Sequence, residues 1–156
     1  MTEQRKVRTC WWFAHRGIDA AQFYVGLLPD SRIDAVFDHG RPDDPMVVEF
    51  TLAGAPMMIL TAGPMFQHSP AASISVLTKD QAETDRLWFA LLAEGGTESM
   101  CGWLTDRFGV SWQIVPEVLP RLAKDPDAAA ASRTRDAMMT MKKIDIAALE
   151  AAFHSA

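Results

Sequence analysis

An internal repeat is the feature of this sequence that most limits its fold. The apolar pattern of one predicted helix, Phe23-Tyr24-x-x-Leu27-Leu28, returns 64 residues later as Leu87-Trp88-x-x-Leu91-Leu92. The same spacing places Thr9, before the first helix, opposite Ser73, before the second. A repeat of this length indicates a duplicated supersecondary unit and not a solenoid, whose repeats are shorter.

Each half of the repeat has the order strand, helix and then three strands. In the first half, β-favouring segments predict strands at residues 7–14, 33–37, 46–52 and 57–61. In the second half, they predict strands at residues 73–78, 97–101, 103–107 and 111–115. Asp80, with Glu83 three residues later, predicts a capping box at the start of the second helix.

Two βαβββ modules each have one apolar sheet face that is too large to leave in water. We therefore predict an α+β fold in which the paired modules form a curved sheet around a shared cup, with the helices outside. Residues 1–156 are expected to form a single domain, with the first module at 5–63 and the second at 70–116. Residues 117–156 predict a helical extension that covers the outside of the sheet or a partner subunit.

Charge and cysteine usage narrow the expected partners. Residues 9–116 hold six Lys and Arg against thirteen Asp and Glu, which disfavours binding to nucleic acid. Cys10 and Cys101 are the only cysteines, so no disulfide framework is expected.

The polar N-terminus does not resemble a signal peptide, and two prolines interrupt the longest apolar stretch, residues 53–66. We therefore expect a cytoplasmic protein without a membrane span.

Several motifs resemble those of a known protein family. They are Cys10-Trp11-Trp12-Phe13, Ala20-Ala21-x-Phe23-Tyr24, Leu28-Pro29-x-Ser31, Cys101-Gly102-Trp103-Leu104-x-Asp106-Arg107-Phe108-Gly109-x-Ser111-Trp112-Gln113 and Met141-Lys142-Lys143-Ile144-Asp145. With these motifs, the chain resembles the PhnB-like branch of the vicinal oxygen chelate superfamily, which also includes glyoxalases and bleomycin-resistance proteins. This branch is often labelled 3-demethylubiquinone-9 3-methyltransferase. The resemblance implies paired βαβββ modules and a homodimer.

The resemblance also implies where a metal ion would bind. Metal enzymes of the superfamily take one ligand from each of four strands that line the cup. The corresponding positions here hold Thr9, Ile59 or Thr61, Ser73 and Gln113. Hydroxyl and amide groups are weak ligands for zinc-like ions, which prefer imidazole, carboxylate or thiolate. We therefore predict no metal ion and no other cofactor.

The methyltransferase label has a sequence test of its own. A common binding site for S-adenosylmethionine is a Rossmann-like domain with a Gly-rich turn after its first strand. The sequence contains no Gly-x-Gly motif, and the order βαβββ differs from a doubly wound sheet. Many relatives also carry Asn where Thr61 stands and Glu-Ala where Pro70-Ala71 stand. If those polar residues serve an activity in the relatives, this chain is expected to lack it or to bind a different ligand.

Strand alternation and the family pattern give the candidate ligand-binding residues. Trp11 alternates with Thr9 on the first strand, and Cys101 shares the predicted strand face of Trp103. The predicted set is Thr9, Trp11, Thr61, Ser73, Cys101, Trp103 and Gln113. Trp side chains can line an apolar pocket, and a Gln amide can both donate and accept hydrogen bonds. Such a lining suits a flat, modestly polar molecule.

Three functional hypotheses follow. The first is metal-free binding of a small, partly aromatic molecule, with no catalytic residue identified. The second is an enzyme of the superfamily, either a metal-dependent lyase or isomerase or the methyltransferase of the family label. The third is an interaction module in which the Met-rich C-terminal helix only mediates dimerisation.

Overall fold

The chain forms two βαβββ modules in the order that the repeat predicts. The computed structural model describes residues 6–155. The first module contains β1 (Thr9–Phe13), α1 (Gly17–Val25), β2 (Arg32–Phe37), β3 (Val47–Leu52) and β4 (Ala55–Thr61). The second contains β5 (Ser73–Thr78), α2 (Gln81–Leu92), β6 (Thr97–Glu98), β7 (Trp103–Thr105) and β8 (Ser111–Pro116). The helices α3 (Val118–Ala123), α4 (Ala128–Met139) and α5 (Ile146–His154) follow.

Each module builds one four-stranded mixed sheet. The strand orders are β1-β4-β3-β2 and β5-β8-β7-β6, and the two sheets therefore share one topology. In each sheet the first strand pairs in parallel with the last, and the other pairings are antiparallel. The chain divides into two compact units, Met1–His68 and Ser69–Ala156. The predicted α+β fold with paired modules is confirmed, and the shared cup stays a prediction.

Each of the first two helices packs an apolar stripe on its own sheet. In α1, Ala20, Ala21 and Tyr24 are fully buried. The helix ends at Val25, earlier than the pattern through Leu28 predicts, and the amide of Gly26 closes its last turn on the carbonyls of residues 22 and 23. In α2, the buried residues Leu87, Trp88 and Leu91 each stabilise the fold by roughly 2 kcal/mol through burial alone.

The start of α2 follows the predicted capping pattern. The carboxylate of Asp80 accepts a hydrogen bond from the amide of Glu83 at 2.8 Å. The carboxylate of Glu83 in turn accepts from the amide of Lys79 at 2.8 Å, one residue before the expected partner. Side chains therefore satisfy one orphan amide of the first helical turn and the amide of the residue before the cap, which fixes where β5 ends and α2 begins.

A buried carboxylate fixes the turn between β7 and β8. Asp106 is 3% exposed, and its Oδ1 accepts from the amides of Phe108 and Val110 at 2.8 and 3.1 Å. Its Oδ2 accepts from the indole of Trp112 at 2.8 Å. The side chain thus holds both the turn and the first residues of β8, which is the central strand beside β5.

The strand predicted at residues 97–101 is shorter than expected. β6 ends at Glu98, and Cys101 lies in a turn with a φ of 59°. A left-handed backbone cannot continue a strand, so the prediction that Cys101 shares a strand face with Trp103 is wrong. The next residue, Gly102, has a φ of 81°, and a Cβ atom there would lie 2.7 Å from the carbonyl oxygen of Ile114.

The C-terminal helices form a small core of their own. Leu119, Leu122, Ile144 and Leu149 are buried together, and Val115 at the end of β8 packs against them. Backbone hydrogen bonds of 2.7 Å join Cys101 to Met141 and Gly102 to Lys142. The extension therefore attaches to the end of its own module's sheet. None of the helices in residues 6–155 has the length and hydropathy needed to span a bilayer.

Side chains also attach the extension to α2. The Gln81 amide donates to the carbonyl of Ile144 at 3.1 Å and accepts from the amide of Ile146 at 2.9 Å. Lys143 Nζ lies 2.6 Å from Asp85 Oδ1. The hydrogen bond from Lys143, helped by one from Gln81, lowers the pKa of Asp85 below its ordinary value.

We predict that Asp106→Asn destabilises the protein by about 2 kcal/mol, because one acceptor of the carboxylate becomes a donor that faces the donors around it. Urea unfolding at neutral pH measures this. Asp136→Asn, on the exposed surface of α4, is the matched control and should leave the midpoint unchanged. Equal midpoints for the two variants would contradict the proposed role of Asp106.

We predict that Lys143→Met lowers the free energy of unfolding at neutral pH by less than about 1 kcal/mol, because the ion pair is partly exposed. A lowered carboxyl pKa stabilises the fold above its unfolded value of about 3.9, and this contribution disappears as the pH falls through the folded pKa. The difference from wild type should therefore shrink below about pH 4. Lys124→Met is the control, and a pH-independent difference would refute the prediction.

Candidate functional site

Each sheet has one face that its helix covers and one face opposite to that helix, here called the helix-free face. In the second module, Thr78 lies on the covered side, because its hydroxyl is 2.7 Å from that of Thr84 on α2. The residues that alternate with it point the other way. The helix-free face of this sheet carries Ser73, Ser75, Leu77, Trp103, Thr105 and Gln113. Val115 follows Gln113 on the same side of β8, but it packs against the C-terminal helices.

Three of the predicted residues come together on this face. Gln113 pairs with Ser75 on one side and with Trp103 on the other. The Gln113 amide nitrogen donates to the hydroxyl of Ser73 at 2.8 Å. Because this bond uses the nitrogen, the amide oxygen of Gln113 remains an acceptor, and the half-buried Trp103 is the cross-strand neighbour of Gln113. A ligand that stacks on Trp103 could thus donate a hydrogen bond to Gln113.

Cys101 lies apart from that group. Its thiol is 3.7 Å from the sulfur of Met139 on α4, and its amide donates to the carbonyl of Met141. Cys101 therefore contacts the C-terminal extension from the turn before β7.

In the first module, the predicted residues lie on the covered face. Thr9, Trp11 and Phe13 pair with Met57, Ile59 and Thr61. The Trp11 ring meets the ring of Tyr24 on α1 edge-on, at 6.2 Å between centroids. The strand register therefore places Thr9, Trp11 and Thr61 on the side of α1 and not on the face that was predicted to line the cup.

Thr61 shows why this face has little space for a ligand. The residue is fully buried, and a Cβ atom on Gly17 would overlap its hydroxyl. Among the described residues, the Thr61 hydroxyl has no hydrogen-bond partner. Gly17 is the first residue of α1, so the helix start lies directly against the end of β4.

The length of one connector explains the error. Three residues, Ala14 to Arg16, separate β1 from α1, whereas only Lys79 and Asp80 separate β5 from α2. The 64-residue spacing aligns α1 with α2. Because the first connector is one residue longer, the same spacing aligns β1 with β5 one residue out of register. A shift of one residue moves every side chain of a strand to the other face.

The correct helix-free face of the first module holds residues that sequence reasoning missed. Cys10 pairs with Met58, and Trp12 pairs with Leu60. The Trp12 ring meets the ring of Phe66 edge-on at 5.0 Å, and its indole donates to the carbonyl of Gly63 at 2.7 Å. Correcting the repeat alignment for the longer connector would have found Trp12.

One ion pair lies on this otherwise apolar face. Glu49, which pairs with Met58 on the neighbouring strand, lies 2.8 Å from Arg8. Burial raises the pKa of the Cys10 thiol, and the nearby Arg8 charge opposes that shift. A raised pKa keeps the thiol protonated at neutral pH, which disfavours Cys10 as a nucleophile.

The superfamily implies a divalent metal ion, and the donor set of this chain does not fit one. Within residues 6–155, no three His, Cys, Asp or Glu side chains lie close enough together to hold a metal ion. After the one-residue shift in register, Cys10 pairs with Met58 and Ser75 pairs with Gln113 on the helix-free faces. A thioether, a hydroxyl and an amide are poor ligands for zinc-like ions, so Cys10 is the single good donor among these four residues.

Comparison with solved structures supports the fold. A PhnB protein from Bacillus cereus is 26% identical with a TM-score of 0.65, and the match covers 72% of this chain and 99% of that one. A protein from Pseudomonas aeruginosa is 25% identical with a TM-score of 0.57, over 72% and 98% of the two chains. The fosfomycin resistance protein FosX from Mesorhizobium loti is 14% identical with a TM-score of 0.54, over 80% and 100%, and shares the fold alone.

Sequence comparison identifies the family. No curated protein sequence matches the chain. Residues 5–115, more than half of the chain, match the family described as 3-demethylubiquinone-9 3-methyltransferase. The chain therefore belongs to this family, the PhnB-like branch of the vicinal oxygen chelate superfamily.

Proposed function

We propose that this protein binds a small, partly aromatic molecule without a metal ion, through the helix-free faces of its sheets. The observation that carries the proposal is the arrangement of Trp103 and Gln113 in the second module. An indole offers a flat apolar surface, and the cross-strand Gln113, whose amide nitrogen is bound to Ser73, offers its amide oxygen as an acceptor. A phenol or an aromatic amine has the matching ring and donor.

The first module supports the same class of ligand. Its helix-free face carries Trp12, Met58 and Leu60, with Phe66 against the indole. The indole N–H of Trp12 is already used by Gly63, so this face offers apolar contact more than hydrogen bonds. Met and aromatic side chains adapt well to flat ligands.

A homodimer is part of the proposal because the family resemblance implies one. Light scattering on the purified full-length protein measures the mass directly. A mass of one chain at all concentrations would remove this part of the proposal and leave the ligand site standing.

We predict that Trp103→Ala and Gln113→Ala each weaken binding of a phenolic or aromatic-amine ligand by about tenfold, since each removes a stacking or hydrogen-bonding partner. Isothermal titration of a panel of such compounds against the full-length protein measures this. Ser73→Ala should have a smaller effect, because Ser73 only orients the Gln113 amide.

Two controls make the measurement specific. Phe89→Ala removes an aromatic ring that is 61% exposed on α2, and Thr61→Val changes a candidate residue on the covered face. Both should bind like wild type. Affinity that falls in the controls, or persists in both Trp103→Ala and Gln113→Ala, would reject the proposed site.

A second candidate is methyl transfer, which the family description favours. The matched family is described as a 3-demethylubiquinone-9 3-methyltransferase, whose substrate by that name is a quinone-type ring. The same ring would suit the proposed aromatic face. Saturable binding of S-adenosylmethionine, followed by transfer of a labelled methyl group to a phenolic acceptor, would favour the enzyme over simple binding.

A further inference from the structure

Sulfur-containing side chains are concentrated where the C-terminal extension meets the turn before β7. The chain has nine Met and two Cys, and five of these eleven residues lie in the two segments that meet there: Met100, Cys101, Met138, Met139 and Met141. Neither Trp103 nor Gln113 belongs to this group. Binding at the sulfur cluster would therefore be independent of the function proposed above.

Two of these sulfur atoms are in contact. The Cys101 thiol lies 3.7 Å from the Met139 thioether, although 38 residues separate them in the sequence. The backbone holds both ends of the contact, since Cys101 donates its amide to the carbonyl of Met141 at 2.7 Å and Met139 is the last residue of α4. Cys101 is half-buried and Met139 is 61% exposed, so solvent reaches the pair.

The spacing of the two sulfur atoms suits joint ligation of one ion. A closed-shell d¹⁰ ion that is held by sulfur at about 2.3 Å with tetrahedral angles has its sulfur ligands about 3.8 Å apart. The observed distance from Cys101 Sγ to Met139 Sδ is 3.7 Å. The pair can therefore share an ion without a change in the backbone around it.

The ligand types at this junction favour a soft ion. Within residues 6–155, no group of three His, Cys, Asp or Glu side chains could hold a metal ion, so a zinc-like ion would lack the ligands it prefers. Thiolate and thioether groups instead select Cu(I) among the biological metal ions. Met138 and Met141 pack against the small C-terminal core, which leaves Met139 as the exposed thioether at the end of α4.

We propose that Cys101 and Met139 bind a soft monovalent cation, Cu(I), between the turn before β7 and the end of α4. The Cys101 thiol gives up its proton on ligation, so each bound ion releases one proton and binding weakens as the pH falls. The thiolate neutralises the charge of the ion, and the Met139 thioether adds a neutral ligand. The ion bridges the extension to the second sheet and stabilises that attachment.

The test uses full-length protein that carries Cys10→Ser, so that Cys101 is the only thiol. Cu(I) is titrated without oxygen in competition with the chromophoric chelator bicinchoninate. The parent should bind one ion per chain, and Cys101→Ser should abolish this binding. Met139→Leu should weaken it by at least about tenfold, the loss that even an outer-shell partner of a metal ion causes. Zn(II) should bind the parent much more weakly than Cu(I).

Met138→Leu is the matched control, because Met138 precedes Met139 in α4 but packs against the small core. Its Cu(I) affinity should equal that of the parent, and thermal midpoints without metal should show that all variants fold. Bound Cu(I) should raise the midpoint of the parent and of Met138→Leu. Unchanged affinity in Met139→Leu would overturn the proposal, because it would reveal binding by the thiol alone. An equal loss in Met138→Leu, or no one-to-one binding by the parent, would also overturn it.

Discussion

The packing of each helix on one face of its own sheet decides which side chains of this protein are available for binding. Strand side chains alternate between two faces of a sheet. A helix that covers one face therefore determines, for every residue of the sheet, whether its side chain is covered or lies on the helix-free face. In the first module, Gly17 lies against Thr61 so closely that no side chain fits between them. This contact fixes Trp11 under the helix and Trp12 on the other side.

The order of the elements could be predicted from the sequence, because helix and strand periods differ and turn residues separate them. The start of α2 at Asp80 and the span of β5 were predicted correctly. The faces of β1 were not, because Cys10-Trp11-Trp12-Phe13 is apolar throughout and carries no alternation. In β5, by contrast, Ser73 and Ser75 alternate with Ile74 and Val76, and the helix-free face is visible in the sequence.

The candidate site was predictable only in the second module. Trp103 and Gln113 belong to strands whose register follows from the short β7–β8 turn around Asp106, and Ser73 lies on β5, where the alternation is visible in the sequence. Cys101 could not be placed, since its left-handed backbone depends on contacts with Met141, forty residues away. Contacts of this range, including those of Gln81 with Ile144 and Ile146, leave no periodic signal in a single sequence.

The extension also changes how the second module can be used. The helices α3 and α5 lie near the beginning of α2, directly after Lys79 and Asp80, whereas Trp103 and Gln113 lie on the opposite face of the sheet from α2. The unit thus separates a polar, charged surface from an aromatic one.

The attachment of Met141 and Lys142 to the turn before β7 uses main-chain groups of Cys101 and Gly102. Evolutionary drift in the side chains at positions 101, 141 and 142 would leave these bonds intact, whereas a side chain at position 102 would collide with the main chain of Ile114. This part of the docking therefore tolerates side-chain changes at positions 101, 141 and 142, provided that glycine stays at position 102.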